Sequence, residues 1–260
     1  STAIRLTGGR ALRISNFISD NISLLASNRD ISISTNLLPE IAWNYGLNLS
    51  HCFYLLDREG TVNVDFYRTD FENHVVVNME DQGILSFTNL VDYGKNTSFS
   101  NALQFDFSYS VSNNFDMKLA YKYNHAKSTY PDNNMWDVTE LKEIPLLPKQ
   151  RGLVNLIYSN SNENWMFDAT LNYVGKSRIP QHESINKEYS EPFSVINCQI
   201  THKLNDFDFY IGGENLLEYK QDNPILNYEN PSSDSFDASL IWAPVNGRRI
   251  YFGLRYKLPI

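Results

Sequence analysis

The chain has 260 residues, a formal net charge of −8, and 16 Tyr, 15 Phe and 4 Trp residues. Its mean hydropathy is −0.39, and no run approaches the roughly 18–20 apolar residues that a membrane helix needs. The acidic balance, without a basic patch, argues against nucleic acid as a partner. Two cysteines, Cys52 and Cys198, are too few for a disulfide scaffold and carry no metal-binding spacing.

The first residues, "STAIRLTGG", have no basic region followed by an apolar stretch, so no signal peptide is predicted here. Ile4 and Leu6 already alternate with polar neighbours, which is typical of a strand in progress. We therefore expect the chain to be a piece of a longer protein.

Alternation of apolar and polar residues, the period of a β-strand, runs through almost the whole sequence. The predicted strands are 2–9, 41–56, 61–67, 84–111, 115–125, 152–158, 165–173, 194–202, 207–213 and a closing strand within 248–260. The alternation changes phase after Arg68, which predicts a β-bulge. In 84–111 we expect one long strand with a break near "DYGKN" (92–96). Most of these strands exceed the five or six residues usual in soluble sheets.

The connections alternate between short and long. The short ones are 57–60, 112–114, 159–164 and 204–206, the long ones are 10–38, 126–149, 177–191 and 216–247, and 78–83 is intermediate. Short turns on one side and long loops on the other are typical of an outer-membrane β-barrel. A soluble β-sandwich or propeller is the alternative interpretation of the same alternation.

Aromatic residues flank the short turns on the apolar parity of the strands. They are Tyr109, Phe115, Tyr158, Trp165, Phe207 and Tyr256. Amphipathic rings collect where a membrane meets water, because the ring is apolar and its polar tip is hydrated. The sequence therefore predicts a membrane-interface belt at this end of the strands.

Several segments, in order, resemble one known family. They are "TAIRLTGGRALR" (2–13), "NLLPEIAWNYGLNL" (36–49), "VDFYRTDFENHVVV" (64–77), "LLPKQRGLVNLIY" (146–158), "YIGGENLLEYKQDNPI" (210–225) and "FDASLIWAPVNGRRIYFGLRYKL" (236–258). Together they resemble the C-terminal end of TonB-dependent outer-membrane receptors, most of all those of Bacteroidota. The resemblance implies an all-β fold, a transmembrane antiparallel β-barrel of about 22 strands filled by a plug. Residues 1–260 would then form about its last ten strands, with the signal peptide, the plug and the first strands absent from this chain.

The resemblance also implies a function in the bacterial outer membrane. That function is energy-coupled uptake of a scarce or large nutrient, such as a siderophore, haem, cobalamin or a peptide. The implied partners are the lipid bilayer with its lipopolysaccharide, TonB with its inner-membrane complex, the transported ligand and, as a further option, a surface lipoprotein. A passive porin and a barrel-type adhesin remain the alternatives.

Nothing in the sequence predicts an enzyme, a cofactor or a metal site. The five histidines, at positions 51, 74, 125, 182 and 202, are scattered and none lies in a metal-binding frame. Four carboxylates are expected on the inner surface of separate strands: Asp65, Asp106, Asp116 and Asp168. We interpret them as a hydrated polar wall, with a proton or metal path as the less favoured alternative.

The long loops are where ligand specificity is expected. Their candidate ligand-contacting residues are Tyr130, Trp136, Arg178, His182, Tyr228 and Trp242. Such side chains can stack on a ligand or pair with its charges, but they can also pack one loop against another. Cys52 and Cys198 fall on opposite parities of strands far apart in order, so no disulfide between them is predicted.

Overall fold

The computed structural model describes residues 1–35, 37–80, 83–89, 98–132 and 135–258, without the side chains of 131–132 and 135–139. The strands are β1 (Thr2–Arg13), β2 (Asp30–Ile33), β3 (Glu40–Leu55), β4 (Arg58–Asn73), β5 (Val75–Asn78), β6 (Ile84–Asn89), β7 (Phe99–Ser112), β8 (Phe115–Asp132), β9 (Met135–Glu143), β10 (Gln150–Ser159), β11 (Trp165–Val174), β12 (Phe193–Leu204), β13 (Phe207–Glu214) and β14 (Arg249–Tyr256). One helical turn, α1 (Phe17–Asp20), and a 3₁₀ turn (Ile22–Leu25) lie between β1 and β2. Among the described residues, no helix is long and apolar enough to cross a membrane.

Ten strands follow one another in a single antiparallel sheet, in the order β1-β3-β4-β7-β8-β10-β11-β12-β13-β14. We call these ten strands the wall. The ninth strand, β9, extends the sheet as a hairpin on the far end of β8, from the pair Lys127/Glu143 onwards. Among the described residues β1 and β14 are the two edges of the sheet, so the wall does not close on itself.

The connections of the wall alternate as predicted. At one end the strands are joined by the short segments 56–57, 113–114, 160–164 and 205–206. At the other end they are joined by the long segments 14–39, 74–98, 175–192 and 215–248. The β8–β9 hairpin and the segment that follows it, up to residue 149, also lie at this second end. One of the two-residue turns uses Leu56 and Asp57, both at positive φ (51° and 60°), as a type I′ hairpin turn requires. We call the described residues of 14–39, 74–98, 126–149, 175–192 and 215–248 the loop layer.

A β-bulge lies beyond Arg68, as predicted, but Phe71 still pairs regularly with Ala42, so the phase changes only after Phe71. The register between β3 and β4 shifts between Ile41 and Ala42, where Glu72 is the extra residue of β4. Its carboxylate accepts hydrogen bonds from Arg10 Nε at 2.9 Å and from Trp43 Nε1 at 2.8 Å. The bulge therefore turns a carboxylate toward two neighbouring strands at the loop end of the wall.

The prediction of one strand over 84–111 was wrong. The segment contains two strands in different sheets, because β6 pairs with β2 and β5 while β7, which begins at Phe99, belongs to the wall. The predicted break at 92–96 lies outside the described residues. Leu85 and Phe87 alternate like wall residues, yet they are 1% and 0% exposed and fill a core inside the loop layer.

Two of the predicted loops contain regular structure. In 10–38, β1 continues to Arg13 and β2 pairs in parallel with β6, opposite Ile84–Phe87. In 126–149, β8 continues to Asp132 and β9 returns alongside it. Their alternation was too short or too polar to be recognised as strand, and the parallel partner of β2 is distant in sequence.

The two surfaces of the wall differ in chemistry, as the parity predicted. One row across five neighbouring strands is apolar and between 37% and 77% exposed: Leu6, Leu47, Phe66, Leu103 and Tyr123. The opposite surface is polar. There the four predicted carboxylates accept hydrogen bonds from neutral side chains, namely Asn48 to Asp65, Gln104 to Asp106, Ser110 to Asp116 and Asn155 to Asp168. Because these carboxylates pair with neutral side chains, the hydrated polar surface is favoured over a proton or metal path.

The last hairpin of the wall pairs inward tyrosines with glycines. Tyr210 lies opposite Gly253, and Tyr251 lies opposite Gly212. A Cβ atom on Gly253 would come within 2.2 Å of the Tyr210 ring, and one on Gly212 within 2.4 Å of Tyr251. A side chain at either position would therefore displace the ring of the tyrosine beside it.

The loop layer has a hydrophobic core of its own, made of Leu24, Met79, Leu85, Phe87, Leu226 and Leu240. Beside it lies a buried ion pair between Arg29 and Asp237, whose side chains are 3% and 1% exposed. Arg29 also donates to the carbonyl of Met79 at 3.2 Å. The core therefore joins three loops that are far apart in sequence.

Cys52 and Cys198 are both free. They lie on β3 and β12, which are separated by five other strands of the wall. The prediction that they form no disulfide is confirmed.

Candidate ligand-binding site

A cavity of about 800 Å³ lies in the loop layer. The β8–β9 hairpin, the end of the 74–80 segment and the 175–192 loop enclose it. Its lining includes Glu80, Lys127, Glu143, Arg178, His182 and Tyr189. Two of the six residues predicted to contact a ligand, Arg178 and His182, therefore line this cavity.

Arg178 joins the three segments around this cavity. It is only 7% exposed, and its Nε donates to the carbonyl of Glu143 at 2.6 Å while Nη1 donates to Glu80 at 2.5 Å. The second carboxylate oxygen of Glu80 accepts from the backbone N–H of Gln181 at 3.1 Å. A buried charge needs such partners, because an unpaired one loses its hydration without compensation.

Tyr130 lies behind Arg178, with the guanidinium carbon 5.7 Å from the ring centroid. It is 4% exposed, and this burial raises the pKa of its phenol to about 12 although the charge of Arg178 acts in the opposite direction. Tyr130 therefore remains protonated at neutral pH. In this structure it packs the hairpin and the Arg178 loop together.

His182 closes a tight turn. Its Nδ1 accepts from the backbone N–H of Ser184 at 3.0 Å, and its carbonyl accepts from the backbone N–H of Ile185 at 2.9 Å. The acceptor role places the proton of a neutral ring on Nε2. Ile185 of this turn lines both the large cavity and a second cavity of about 390 Å³, so the turn forms a partition between the two cavities.

Both signs of charge line the large cavity. Glu143 pairs with Lys149 at 2.5 Å, which raises the pKa of the lysine through a hydrogen bond to the carboxylate. Glu183 and Glu188 are exposed and form no ion pair within the described part of the chain. Such a surface suits a hydrophilic ligand. No three His, Cys, Asp or Glu side chains of the described residues are grouped as a metal site.

The other predicted ligand residues are placed separately. Trp242 lines the smaller cavity, and Tyr228 is 62% exposed and lines neither cavity. Trp136 is in β9, and its side chain lies outside the described residues. Sequence reasoning missed Glu80 and Gln221, since their partners are distant in sequence and no local pattern marks them.

The six aromatic residues predicted for the membrane interface all lie at the short-turn end of the wall. Phe207 packs on Tyr256 with ring centroids 4.8 Å apart, and Trp165 stacks on His202 at 4.2 Å. The Tyr109 hydroxyl donates to the carbonyl of Leu55 at 2.8 Å. Phe115 lies opposite Tyr158 in the register of β8 and β10. These rings share the exposed apolar surface of the wall.

A family profile described as "TonB dependent receptor-like, beta-barrel" matches residues 2–216. The chain belongs to the TonB-dependent receptor family. Its wall is therefore part of a transmembrane β-barrel of the bacterial outer membrane, as the resemblance implied, and its exposed apolar surface faces lipid. The long loops of such barrels are extracellular and their short turns are periplasmic.

Solved structures of TonB-dependent receptors have the same fold. The ferric-catecholate import receptor Fiu from E. coli K12 is 14% identical with a TM-score of 0.62, over 98% of this chain and 33% of that one. The copper transporter OprC is 14% identical with a TM-score of 0.68, over 98% and 36%. The siderophore receptor PiuA from Acinetobacter baumannii is 13% identical with a TM-score of 0.62, over 98% and 34%.

The chain thus spans about a third of the length of these structures. Comparison with curated protein sequences finds no match. The family consists of receptors and transporters, and the identities are low enough that these likenesses describe the fold alone.

Proposed function

We propose that residues 1–260 form the C-terminal ten strands of a plugged receptor that takes up a nutrient by TonB-dependent transport. The upstream part of the full-length receptor would supply the remaining strands, to about 22, together with the plug. The open edges at β1 and β14 support this proposal, because unpaired backbone groups cannot persist in lipid.

The observation that carries the proposal is a folded extracellular layer containing a charged cavity of about 800 Å³ above a polar barrel interior. This volume lies within the range of roughly 300–1,000 Å³ that is typical of pockets for small organic ligands. Candidates are a siderophore, haem, cobalamin or a peptide. Arg178 and His182 are proposed as ligand-contacting residues of this cavity.

Selection by tight binding creates a need for energy. A tightly held ligand leaves slowly, so uptake requires a step that disrupts its contacts. We propose that TonB, coupled to the inner-membrane proton gradient, moves the plug and supplies this work. The six aromatic residues at the short-turn end are proposed to anchor the barrel at the periplasmic interface of the membrane.

A protonophore experiment tests the proposal with cells that express the full-length receptor. Uptake of the ligand should stop when the proton gradient collapses, while binding to the cell surface keeps its original affinity. A strain lacking the receptor provides the background for both measurements.

The alternatives predict different behaviour. A passive porin would give flux that rises in proportion to solute concentration and ignores the protonophore. An adhesin would bind without any uptake. Either result would reject transport through TonB for this receptor.

A further inference from the structure

The smaller cavity, of about 390 Å³, lies on the other side of the His182 turn from the larger one. Its volume is within the range of roughly 300–1,000 Å³ that is typical of small-ligand pockets. Two half-buried aromatic side chains, Tyr219 and Trp242, line it. They belong to the 215–248 loop.

A buried amide side chain fixes the position of Trp242. Gln221 is 6% exposed, and its Oε1 accepts from the backbone N–H groups of Trp242 at 2.9 Å and of Ala243 at 3.2 Å. Its Nε2 donates to the carbonyl of Leu240 at 2.9 Å. The backbone that carries the indole is therefore held at three points.

Tyr219 is fixed in a similar way. Asn215, also 6% exposed, donates to the Tyr219 carbonyl at 2.7 Å and accepts from its backbone N–H at 3.1 Å. The ring of Tyr219 stacks on Phe193 with centroids 4.8 Å apart and planes 8° apart. Tyr219, whose backbone and ring are both held, loses little entropy when a ligand binds, which is the property expected of a recognition surface.

The charges around this cavity are balanced. Lys187 pairs with Glu191 at 3.0 Å, and the other charged lining residues are one lysine and one aspartate, Lys220 and Asp222. A strongly anionic chelate would find no excess of positive charge here. Burial, followed by the nearby carboxylates of Asp222 and Glu191, raises the pKa of Tyr219, so that its hydroxyl stays available as a donor.

The remaining polar lining consists of hydroxyl and amide groups, from Ser184, Ser190, Asn186 and Asn223. Hydroxyls and amides both donate and accept hydrogen bonds, which matches a ligand whose own groups do both. Aromatic rings offer a surface for an apolar face of that ligand. A sugar ring has this combination, with C–H groups on its faces and hydroxyls around its edge.

We infer that the smaller cavity is a subsite for a neutral, hydroxyl-rich ligand group such as a sugar ring. The inference rests on the proposed function and names the chemistry of one part of its ligand. Ile185, Asn186 and Lys187 line both cavities, so a ligand that occupies the subsite can continue across the partition into the larger cavity. Gln221 acts as a positioning residue for Trp242.

Binding of the purified full-length receptor to an array of neutral oligosaccharides tests the inference. We expect the receptor to retain a subset of them, and Trp242→Ala to weaken the best one by at least about tenfold, which corresponds to about 1.4 kcal/mol. Trp242→Phe should keep most of the affinity, because an aromatic face remains. Gln221→Ala should weaken binding while Trp242 is still present.

Ile225→Ala is the matched control, since Ile225 is an exposed apolar residue of the same loop that lines neither cavity. It should leave the affinity unchanged. Heat-modifiable migration in gels checks that each variant retains its folded barrel.

Three results would overturn the inference. One is a receptor that retains no oligosaccharide of the array, and another is affinity that is unchanged in Trp242→Ala. A third is a loss of ferric tris-catecholate binding in Trp242→Ala, which would make the cavity a chelate site. The proposed transport fails separately, when uptake of whatever ligand the receptor binds is indifferent to the protonophore.

Discussion

The wall and the loop layer obey opposite rules of burial. Every buried hydrophobic side chain of the described residues lies in the loop layer, among them Leu85, Phe87 and Leu240. In the wall, outside the extension of β8 beyond residue 125, large apolar side chains such as Leu47 and Phe66 are exposed, while polar ones such as Thr201 and Asp208 are buried. The loop layer thus has an apolar interior, as a small domain in water does, whereas the wall has an apolar exterior and a polar interior.

This difference reflects two solvents. Lipid accepts apolar side chains but no unpaired backbone group, so the wall is stabilised by continuous strand pairing. Water favours burial of apolar area, so the loop layer is stabilised by its core, beside which the buried charges of Arg29 and Asp237 compensate each other. Changes of the same kind should therefore have different effects in the two regions.

The largest effect is expected when the buried ion pair is broken. Asp237→Asn leaves Arg29 buried and unpaired, which should destabilise the loop layer by about 3–5 kcal/mol. The wall should be unaffected. Limited proteolysis of the full-length receptor would show rapid cleavage in the loops with heat-modifiable migration retained.

Replacing both partners provides the control. Arg29→Met combined with Asp237→Leu removes both charges and should restore most of the protection. Cleavage as rapid in the double variant as in Asp237→Asn would show that the unpaired charge of Arg29 is not the cause of the destabilisation.

A somewhat smaller effect is expected from charge on the lipid-facing surface. Leu171 lies in a row with Val154 and Ile196, whereas Asn172 faces the barrel interior. Leu171→Arg should cost roughly 2–4 kcal/mol and Asn172→Arg little. Equal shifts of the two variants in a urea titration of the refolded receptor would contradict the assignment of surfaces.

The smallest of these effects concerns pH. Burial lowers the pKa of His74 to about 4, and its Nε2 lies 2.7 Å from the Ser128 hydroxyl. The unfolded loop takes up the proton first, at a pKa near 6.5, so stability present above that pH is lost as the pH falls towards 4. By pH 5 the loss should reach about 2 kcal/mol.

Hydrogen exchange of residues near His74, measured at pH 7 and pH 5, would detect this change. His74→Gln keeps a group that can bond to Ser128 but does not titrate in this range. It should remove the pH dependence, and a dependence that persists in this variant would assign the effect to another group.

The sequence predicted the wall well because apolar and polar residues alternate along each of its strands. In β3, β10 and β11 nearly every second residue is apolar, and the observed strands begin and end within a few residues of the prediction. The same rule failed at Leu85 and Phe87. An alternating strand has the same appearance whether its apolar side meets lipid or a protein core, so periodicity could not separate the two sheets.

The candidate site was predictable only in part. Arg178, His182 and Trp242 were recognised as loop residues able to bind a ligand, and they do line the two cavities. What Arg178 contacts could not be predicted, since Glu80 is 98 residues away in sequence. The same is true of Gln221, whose role is visible only from the loop backbone it holds.

The Arg29–Asp237 pair also bears on how the barrel is assembled. It closes a loop of 208 residues, and eight of the ten wall strands lie between its two partners. Closing so long a loop has a high entropic cost unless the intervening chain is already ordered. The extracellular core should therefore form last, after β3 to β13 have been placed. Protease resistance outside the cell then becomes a signal that the strands within the membrane have been completed.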